Sequence, residues 1–253
     1  AYLKIAEGCD KRCSYCIIPK IRGRFRSVPM QELLNEAKRL ASEGVKELVL
    51  VAQETTLYGK DLTGEKQLPL LLHELCKIEG IEWIRLLYCY PEEITDELIK
   101  VIKTEEKVCN YIDMPIQHSE NRILQRMGRR TSREDLVAVI KKLRKEIPDI
   151  TIRTTLITGF PGESQEDHEG LMNFVEECKF DRLGVFTYSP EEDTLAATFE
   201  DQIDEEVKEE RRDELMSLQQ EISYEHTQQL VGKTIKVMVE GYLFEDDIYV
   251  GRS

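Results

Sequence analysis

The chain has 253 residues, of which 41% are hydrophobic and 33% charged, and this composition fits one large domain with a buried core and a small appendage. No segment approaches the roughly 18 consecutive apolar residues that a membrane-spanning helix needs, and the first residues resemble a strand more than a signal peptide. We therefore expect a cytoplasmic protein with no membrane contact. The net charge of −14 comes from the acidic segment 163–214, since the rest of the chain is balanced.

Strand-like and helix-like segments alternate through residue 188. Short apolar runs predict six strands, at 2–7, 46–52, 83–88, 111–114, 150–157 and 182–188. Amphipathic segments with capping signals predict the helices between them, at 29–42, 67–78, from Thr95 onward, 132–146 and 164–178. Successive β-then-α units predict parallel strands with right-handed crossovers.

The number of these units limits the architecture. A complete eight-unit barrel takes about 250 residues, so six strands by residue 188 predict an α/β fold with an incomplete, six-stranded parallel (β/α) barrel. Active sites of such barrels lie at the carboxyl ends of the strands. Loops that follow strands are therefore the places to look for chemistry.

The last part of the chain has a different pattern. Residues 201–231 predict a long charged helix that packs through five apolar side chains, Ile203, Val207, Leu215, Leu218 and Ile222. The alternating segment 234–240, followed by 248–250, predicts new strands. We interpret residues 1–231 as a barrel domain with its C-terminal helix, and residues 232–253 as the start of a small β-barrel domain.

Four of the seven cysteines are scattered singly. They do not suggest a disulfide framework, and we expect them to be small buried side chains. They are Cys76, Cys89, Cys109 and Cys178.

The other three cysteines form one short motif. Cys9, Cys13 and Cys16 follow the first predicted strand, and Gly8 permits a sharp turn before them. A closed structural zinc site needs four ligands, and no fourth Cys or His lies nearby. A cubane cluster held by three thiolates keeps one iron open. The motif therefore predicts a [4Fe–4S] cluster; a zinc site with a distant fourth ligand and incidental spacing are the alternatives.

Polar residues follow or lie on other predicted strands. Gln53-Glu54 ends the second strand, and Gln117-His118 follows the fourth. Arg153 on the fifth strand offers a guanidinium that can bind a carboxylate, and a structural ion pair is the alternative. His118 is a candidate for acid–base work, with a hydrogen-bonded residue at the barrel mouth as the alternative.

The fifth predicted strand runs into a glycine-containing segment, Gly159-Phe160-Pro161-Gly162-Glu163. Its glycines permit close approach of a nucleoside cofactor, and a plain βα turn is the alternative. No catalytic residue is assigned. The candidate cofactor-binding residues are Tyr15, Gln53, Glu54, Gln117, Arg153 and Gly159.

Two groups of basic residues lie in this otherwise acidic chain. The interpretations are solvated surface or a cationic rim around a site for an anionic group. The first group is Lys11, Arg12, Lys20, Arg22, Arg24 and Arg26; the second is Arg122, Arg126, Arg129, Arg130 and Arg133.

The cysteine motif, with aromatic Tyr15 before Cys16, resembles that of the radical S-adenosylmethionine superfamily. There the open iron binds the amino and carboxylate groups of S-adenosylmethionine, and one electron cleaves the sulfonium to give a 5′-deoxyadenosyl radical that abstracts hydrogen. The resemblance implies a [4Fe–4S] cluster and S-adenosylmethionine as cofactors, with the protein orienting them.

Nearly the whole chain resembles the methylthiotransferase family of that superfamily. The matching segments are CSYCIIPKIRGRFRS (13–27), LVAQETTLYG (50–59), YIDMPIQH (111–118), TTLITGFPGES (154–164) and FDRLGVFTYSP (180–190). Three features resemble the branch that acts on small-subunit ribosomal protein twelve and not the tRNA-modifying branch. They are Gln117-His118, Gln53-Glu54-Thr55-Thr56 and Tyr90-Pro91.

This resemblance implies attachment of a methylthio group to the β-carbon of an aspartate in that ribosomal protein, with an electron donor as a further partner. It also implies contact with RNA or the ribosome through the C-terminal β domain. Family members carry an N-terminal domain with an auxiliary [4Fe–4S] cluster, which we expect to lie outside these residues, and we expect the β domain to stop early. The chain by itself is then expected to cleave S-adenosylmethionine without inserting sulfur.

Two alternative functions remain. A tRNA adenosine methylthiotransferase uses the same chemistry; the two basic groups favour it, whereas the negative net charge disfavours phosphate binding. A non-catalytic metal-binding module that docks on RNA would carry zinc instead of iron.

Overall fold

The computed structural model describes residues 1–253, and its central feature is six parallel strands. They are β1 (Tyr2–Lys4), β2 (Glu47–Val51), β3 (Trp83–Leu86), β4 (Tyr111–Asp113), β5 (Thr151–Thr158) and β6 (Arg182–Thr187). All six expected strands are present, although β1 and β3 end earlier than the sequence predicts.

The strands form two three-stranded sheets in sequence order. One sheet has the order β1-β2-β3, the other β4-β5-β6. A parallel bridge between Ile84 and Val108 links the two sheets just before β4. The fold class is therefore α/β with parallel sheets, as expected.

Nine helices accompany the strands. They are α1 (Ile18–Arg22), α2 (Met30–Ser42), α3 (Lys60–Thr63), α4 (Leu68–Cys76), α5 (Asp96–Thr104), α6 (Asn121–Arg126), α7 (Arg133–Glu146), α8 (Gln165–Cys178) and α9 (Glu205–Gln228). Thr95 caps α5 by accepting a hydrogen bond from the Leu98 amide at 3.2 Å. Ser132 and Ser164 form capping boxes at the starts of α7 and α8. No helix combines the length and the apolar character needed to cross a membrane.

The two faces of the sheets differ because side chains alternate along a strand. On one face, residues such as Leu48, Ile84 and Leu156 join helix residues in a 44-residue hydrophobic core. The other face, which we call the inner face, carries charged side chains among apolar and aromatic ones such as Val49 and Phe186. The charged ones include Lys4, Arg85, Asp113, Arg153 and Arg182.

Part of the first predicted strand pairs differently. The backbone leaves β1 at Ile5, and Ala6–Glu7 then pairs antiparallel with Arg26–Ser27. The cysteine segment and α1 lie between the two arms of this ribbon. The sequence pattern did not predict the ribbon or the short helices α1, α3 and α6, because such short elements carry little periodicity.

Helix α9 packs through a face that differs from the expected one. Leu215 and Ile222 are buried as predicted, whereas Ile203, Val207 and Leu218 are only partly buried. The rest of the buried face is polar, and its members are Lys208, Arg211 and Gln219. Leu218 still packs against the core, so the predicted face is confirmed in part. The prediction lacked the buried polar residues, which are tolerated because each finds a hydrogen-bond partner on a distant segment.

The chain ends in an antiparallel hairpin of β7 (Met238–Leu243) and β8 (Ile248–Arg252). β7 begins later than the alternating segment 234–240 predicts. The hairpin reaches the sheets through Arg252, whose guanidinium pairs with the buried Glu47 carboxylate.

Candidate metal centre

The three clustered cysteines lie on one loop after β1, and all three are free thiols. Cys9 and Cys13 are 7% and 9% exposed, and Cys16 is half-buried. Gly8 precedes them with φ +80°, and a Cβ there would lie 2.3 Å from the Arg24 carbonyl oxygen. Only glycine fits this turn, which directs the cysteines away from the ribbon.

Hydrogen bonds from distant segments hold this loop. The Gly8 amide donates to Gln53 Oε1 at 2.7 Å, so the predicted residue Gln53 fixes the start of the loop. In the middle of the loop, the Ser14 amide donates to the Met127 carbonyl at 2.9 Å, and the Ala196 amide donates to the Ser14 carbonyl at 2.8 Å. The thiols are thus attached to a preformed scaffold.

The thiols suit a cluster better than a single ion. Burial raises the pKa of Cys9 to about 11 and also raises that of Cys16, so a metal has to displace thiol protons when it binds. No three His, Cys, Asp or Glu side chains lie close enough to hold one metal ion. In a cubane each thiolate binds a different iron, so the ligands need not converge on one point. The residues therefore fit an iron–sulfur cluster.

Glu54 is fully buried near this loop, with one oxygen left over. Its Oε1 accepts hydrogen bonds from the Thr56 amide at 3.0 Å and from the Thr56 hydroxyl, but Oε2 has no partner. Burial raises the pKa of Glu54 to about 7, although the Thr56 bonds and the charge of Lys11 oppose the shift. A buried polar atom without a partner is rare in folded proteins, and this one offers an acceptor to a ligand.

Gln117 presents a second unpaired acceptor. Its backbone has φ +74°, which is uncommon for a residue other than glycine. Bonds from its amide to Thr155 and from the Ile157 amide to its carbonyl hold it beside β5. Its Oε1 is buried without a partner. Backbone strain of this kind is characteristic of ligand-binding positions.

The other predicted site residues lie in different surroundings. Arg153 is on the inner face, 47% exposed and 3.9 Å from Asp113. Tyr15 lies edge-on to Phe160 with ring centroids 6.5 Å apart. Gly159 has φ +69°, and a Cβ there would lie 2.2 Å from Cγ of Lys208, so close packing against α9 accounts for the glycine.

His118 is fully buried in a structural cluster. Its Nδ1 accepts a hydrogen bond from the Glu120 amide at 3.0 Å, which places its proton on Nε2, 3.4 Å from Glu163. Glu163 also binds Arg211 Nη1 at 2.9 Å. This arrangement favours the hydrogen-bonded alternative over acid–base work.

Most basic residues near the site are already neutralised. In the second basic group, Arg122, Arg126 and Arg133 pair with carboxylates. Arg129 is buried, donates to the Pro115 carbonyl at 3.0 Å and lies 4.3 Å from the centre of the Tyr90 ring. The structure therefore does not support a cationic rim made of the whole group.

A small cavity of about 220 Å³ adjoins Cys13. Sequence analysis gave Tyr90 no place in the site, yet its hydroxyl lies 3.9 Å from the Cys13 sulfur. Arg12 and Arg130 line the cavity and form no ion pair. Their adjacency depends on long-range folding and had no local signal.

The scattered cysteines only partly follow expectation. Cys89 and Cys178 are buried, whereas Cys76 and Cys109 are half-buried. The expectation of four buried side chains was wrong for the last two.

Comparisons with known proteins agree with this geometry. Residues 3–175 match the family model of the radical SAM superfamily. The chain is 63% identical over all 253 residues to ribosomal protein uS12 methylthiotransferase RimO of Lachnoclostridium phytofermentans, and 58% identical to the protein of that name from Clostridium perfringens. It spans 58% and 56% of the lengths of these relatives.

A solved structure with the same fold is more distant in sequence. The radical S-adenosylmethionine methyltransferase TsrM from Kitasatospora setae, solved with cobalamin and a [4Fe–4S] cluster, superimposes with a TM-score of 0.62 at 18% identity. The match covers 75% of this chain and 38% of TsrM. The family model matches most of the chain, and the fold carries the three cysteines on one loop. The chain therefore belongs to the radical SAM superfamily.

Proposed function

We propose that the chain is the catalytic core of a methylthiotransferase that attaches a methylthio group to the β-carbon of an aspartate in ribosomal protein uS12. The observation that carries this proposal is the clamped loop of three free thiols, within a chain 63% identical along its whole length to a protein named for that activity.

The finer architecture belongs to the same proposal. The two linked parallel sheets form an incomplete six-stranded barrel that, with α9, makes up residues 1–231. The β7-β8 hairpin within 232–253 begins a small β domain of RNA-binding-barrel type. The open edges of β1 and β6, which have no strand partner beyond β2 and β5, support an incomplete barrel.

The cofactors of a radical SAM chain are a [4Fe–4S] cluster and S-adenosylmethionine, which when bound supply the one-electron cleavage that yields a hydrogen-abstracting radical. Cys9, Cys13 and Cys16 hold the cluster and leave one iron open. Glu54 Oε2 and Gln117 Oε1 accept hydrogen bonds from the amino or hydroxyl groups of S-adenosylmethionine, because both are buried acceptors without partners.

The remaining candidate residues act less directly. Gln53 holds Gly8 and therefore the start of the cysteine loop. Tyr15 and Gly159 shape the site by packing against Phe160 and Lys208. Arg153 is a half-exposed guanidinium of the inner face, 3.9 Å from Asp113, and binds a carboxylate of the substrate there.

The partners follow from the reaction. The substrate is uS12, a donor supplies electrons to the cluster, and the β domain contacts the ribosome. The reaction takes place in the cytoplasm.

The test is anaerobic incubation of the full-length enzyme, with its clusters reconstituted from iron and sulfide, with a reductant, S-adenosylmethionine and either purified uS12 or tRNA. We expect mass spectrometry to find one methylthio group in place of a hydrogen on one uS12 aspartate, and no change in tRNA. A methylthiolated adenosine with unmodified uS12 would overturn the proposal. Cys13→Ala is the inactive control, and Cys89→Ala, at a buried thiol away from the loop, is the matched active control.

A further inference from the structure

Tyr88, two residues beyond β3, has an unusual backbone conformation. Its φ is +58°, in the left-handed region that bulky residues rarely adopt and that costs roughly 1–3 kcal/mol. Ile84 and Leu86 face the core, so regular alternation would direct Tyr88 into the core as well. The left-handed residue instead leaves its side chain 46% exposed and places Cys89, which is fully buried, in the core.

Two neighbouring segments maintain this conformation. The Tyr88 amide donates to Asp113 Oδ2 at 3.0 Å, and the Tyr88 carbonyl accepts hydrogen bonds from the amide and the hydroxyl of Thr55, both at 3.1 Å. The Cys89 amide donates to the Asp113 carbonyl at 2.8 Å. Asp113 and Thr55 are themselves buried, so the strained residue is held firmly.

The residues that hold the Tyr88 backbone lie next to candidate site residues. Thr55 directly follows Glu54, and Asp113 lies beside the half-exposed Arg153 on the inner face. A large amphipathic ring with two rotatable bonds is the kind of side chain that anchors a protein partner at low entropic cost. Packing within the chain does not explain why the Tyr88 ring is exposed, because regular strand alternation would place this side chain in the hydrophobic core.

We propose that Tyr88 contacts the target protein directly and helps to hold the segment that carries the aspartate against the inner face. This inference deepens the proposed function and rests on it. The contact is with protein because the proposed substrate is the ribosomal protein uS12, and because Asp113, which holds the Tyr88 amide, lies next to the half-exposed Arg153 guanidinium, a group that suits a carboxylate of the target.

Variants can separate the ring from the backbone. Gly and Asn both tolerate a positive φ, so Tyr88→Gly and Tyr88→Asn remove the ring while keeping or relieving the strain. Tyr88→Phe keeps the ring. Lys179→Gly is the matched control, since Lys179 also has a positive φ, +44°, at the end of α8 and away from the inner face.

The measurements are the dissociation constant for purified uS12, the melting temperature, and the release of 5′-deoxyadenosine without uS12. We expect Tyr88→Gly and Tyr88→Asn to bind uS12 about tenfold more weakly, with melting temperature and deoxyadenosine release no lower than in the wild type. Tyr88→Phe and Lys179→Gly should bind uS12 like the wild type.

Several results would overturn the role of Tyr88. Unchanged uS12 affinity in Tyr88→Gly excludes the contact, and a joint fall in melting temperature and deoxyadenosine release in both ring-deleted variants makes Tyr88 structural. Loss of affinity for tRNA alone assigns the ring to base stacking. Wild-type protein that does not bind uS12 refutes the proposed function and the contact together.

Discussion

Two buried glutamates show how differently the same side chain is used in two regions of the molecule. Glu163, after β5, has both carboxylate oxygens occupied, by Arg211, Thr158 and the Phe160 amide. Glu54, after β2, has one oxygen bound to Thr56 and the other without a partner. Neither is more than 2% exposed.

Their protonation differs accordingly. Burial alone would raise the pKa of Glu163, but the neighbouring His118, 3.4 Å away, and the charge of Arg211 outweigh it and place its pKa below the ordinary value. Burial dominates at Glu54 and raises its pKa to about 7. A fully paired buried carboxylate stabilises the fold, whereas one with an unpaired oxygen and a raised pKa is a candidate for a ligand site.

The largest expected effect on stability comes from breaking the buried ion pair between Glu163 and Arg211. Glu163→Ala leaves the buried Arg211 guanidinium without its carboxylate, and removing one partner of a buried pair costs about 3–5 kcal/mol. Urea unfolding of the cofactor-free protein measures this loss. Glu177→Ala, which breaks an exposed pair with Lys141, is the control and should change stability by less than about 1 kcal/mol. A Glu163→Ala variant as stable as the control would show that the Glu163–Arg211 pair does not stabilise the fold.

Glu54→Gln should increase the free energy of unfolding, and the size of this increase should depend on pH. Unfolded Glu54 loses its proton near pH 4.5 and folded Glu54 near pH 7, so the stability that its proton contributes is complete below pH 4.5 and is lost as the pH rises to about 7. In the cofactor-free protein the variant should gain about 3 kcal/mol at pH 8 and nothing at pH 4.5. Destabilisation at pH 8 would mean that Glu54 is paired like Glu163.

Gly159→Ala is expected to have the smallest effect on stability, and it tests how closely Gly159 packs against Lys208 of α9. The new Cβ meets the Lys208 side chain at a positive φ, which should cost about 1–3 kcal/mol. Lys208→Ala removes the nearest atom, Cγ, but keeps Cβ at 2.9 Å and the backbone strain, so the double variant should lose less than the sum of the two single changes. Additive losses in a double-mutant cycle would exclude this contact.

The features that the sequence predicts correctly are those that depend on neighbouring residues. The strands, the Thr95 cap and the starts of α7 and α8 follow from local patterns, because alternation and capping act between near neighbours. The cysteine motif is local as well, so its position after β1 was foreseeable.

Long-range pairing was not foreseeable. Arg211 and Lys208 are buried on α9 because Glu163 and the Tyr188 carbonyl lie opposite them, and hydrophobicity alone would expose both side chains. The positive φ of Tyr88 has no local signal, since it depends on Asp113 from the next strand. Similarly, Glu54 was recognisable as polar at a strand end, but its unpaired oxygen emerges only from the packed structure.

The central claim is that three thiols hold a [4Fe–4S] cluster with one open iron. The most direct measurement is electron paramagnetic resonance of the chain of residues 1–253, without any auxiliary cluster, after anaerobic reconstitution and reduction, with and without S-adenosylmethionine. We predict a cluster signal that changes when S-adenosylmethionine is added and that disappears in Cys9→Ala, Cys13→Ala and Cys16→Ala. A signal indifferent to S-adenosylmethionine, or one that survives the loss of any of these thiols, would contradict the account.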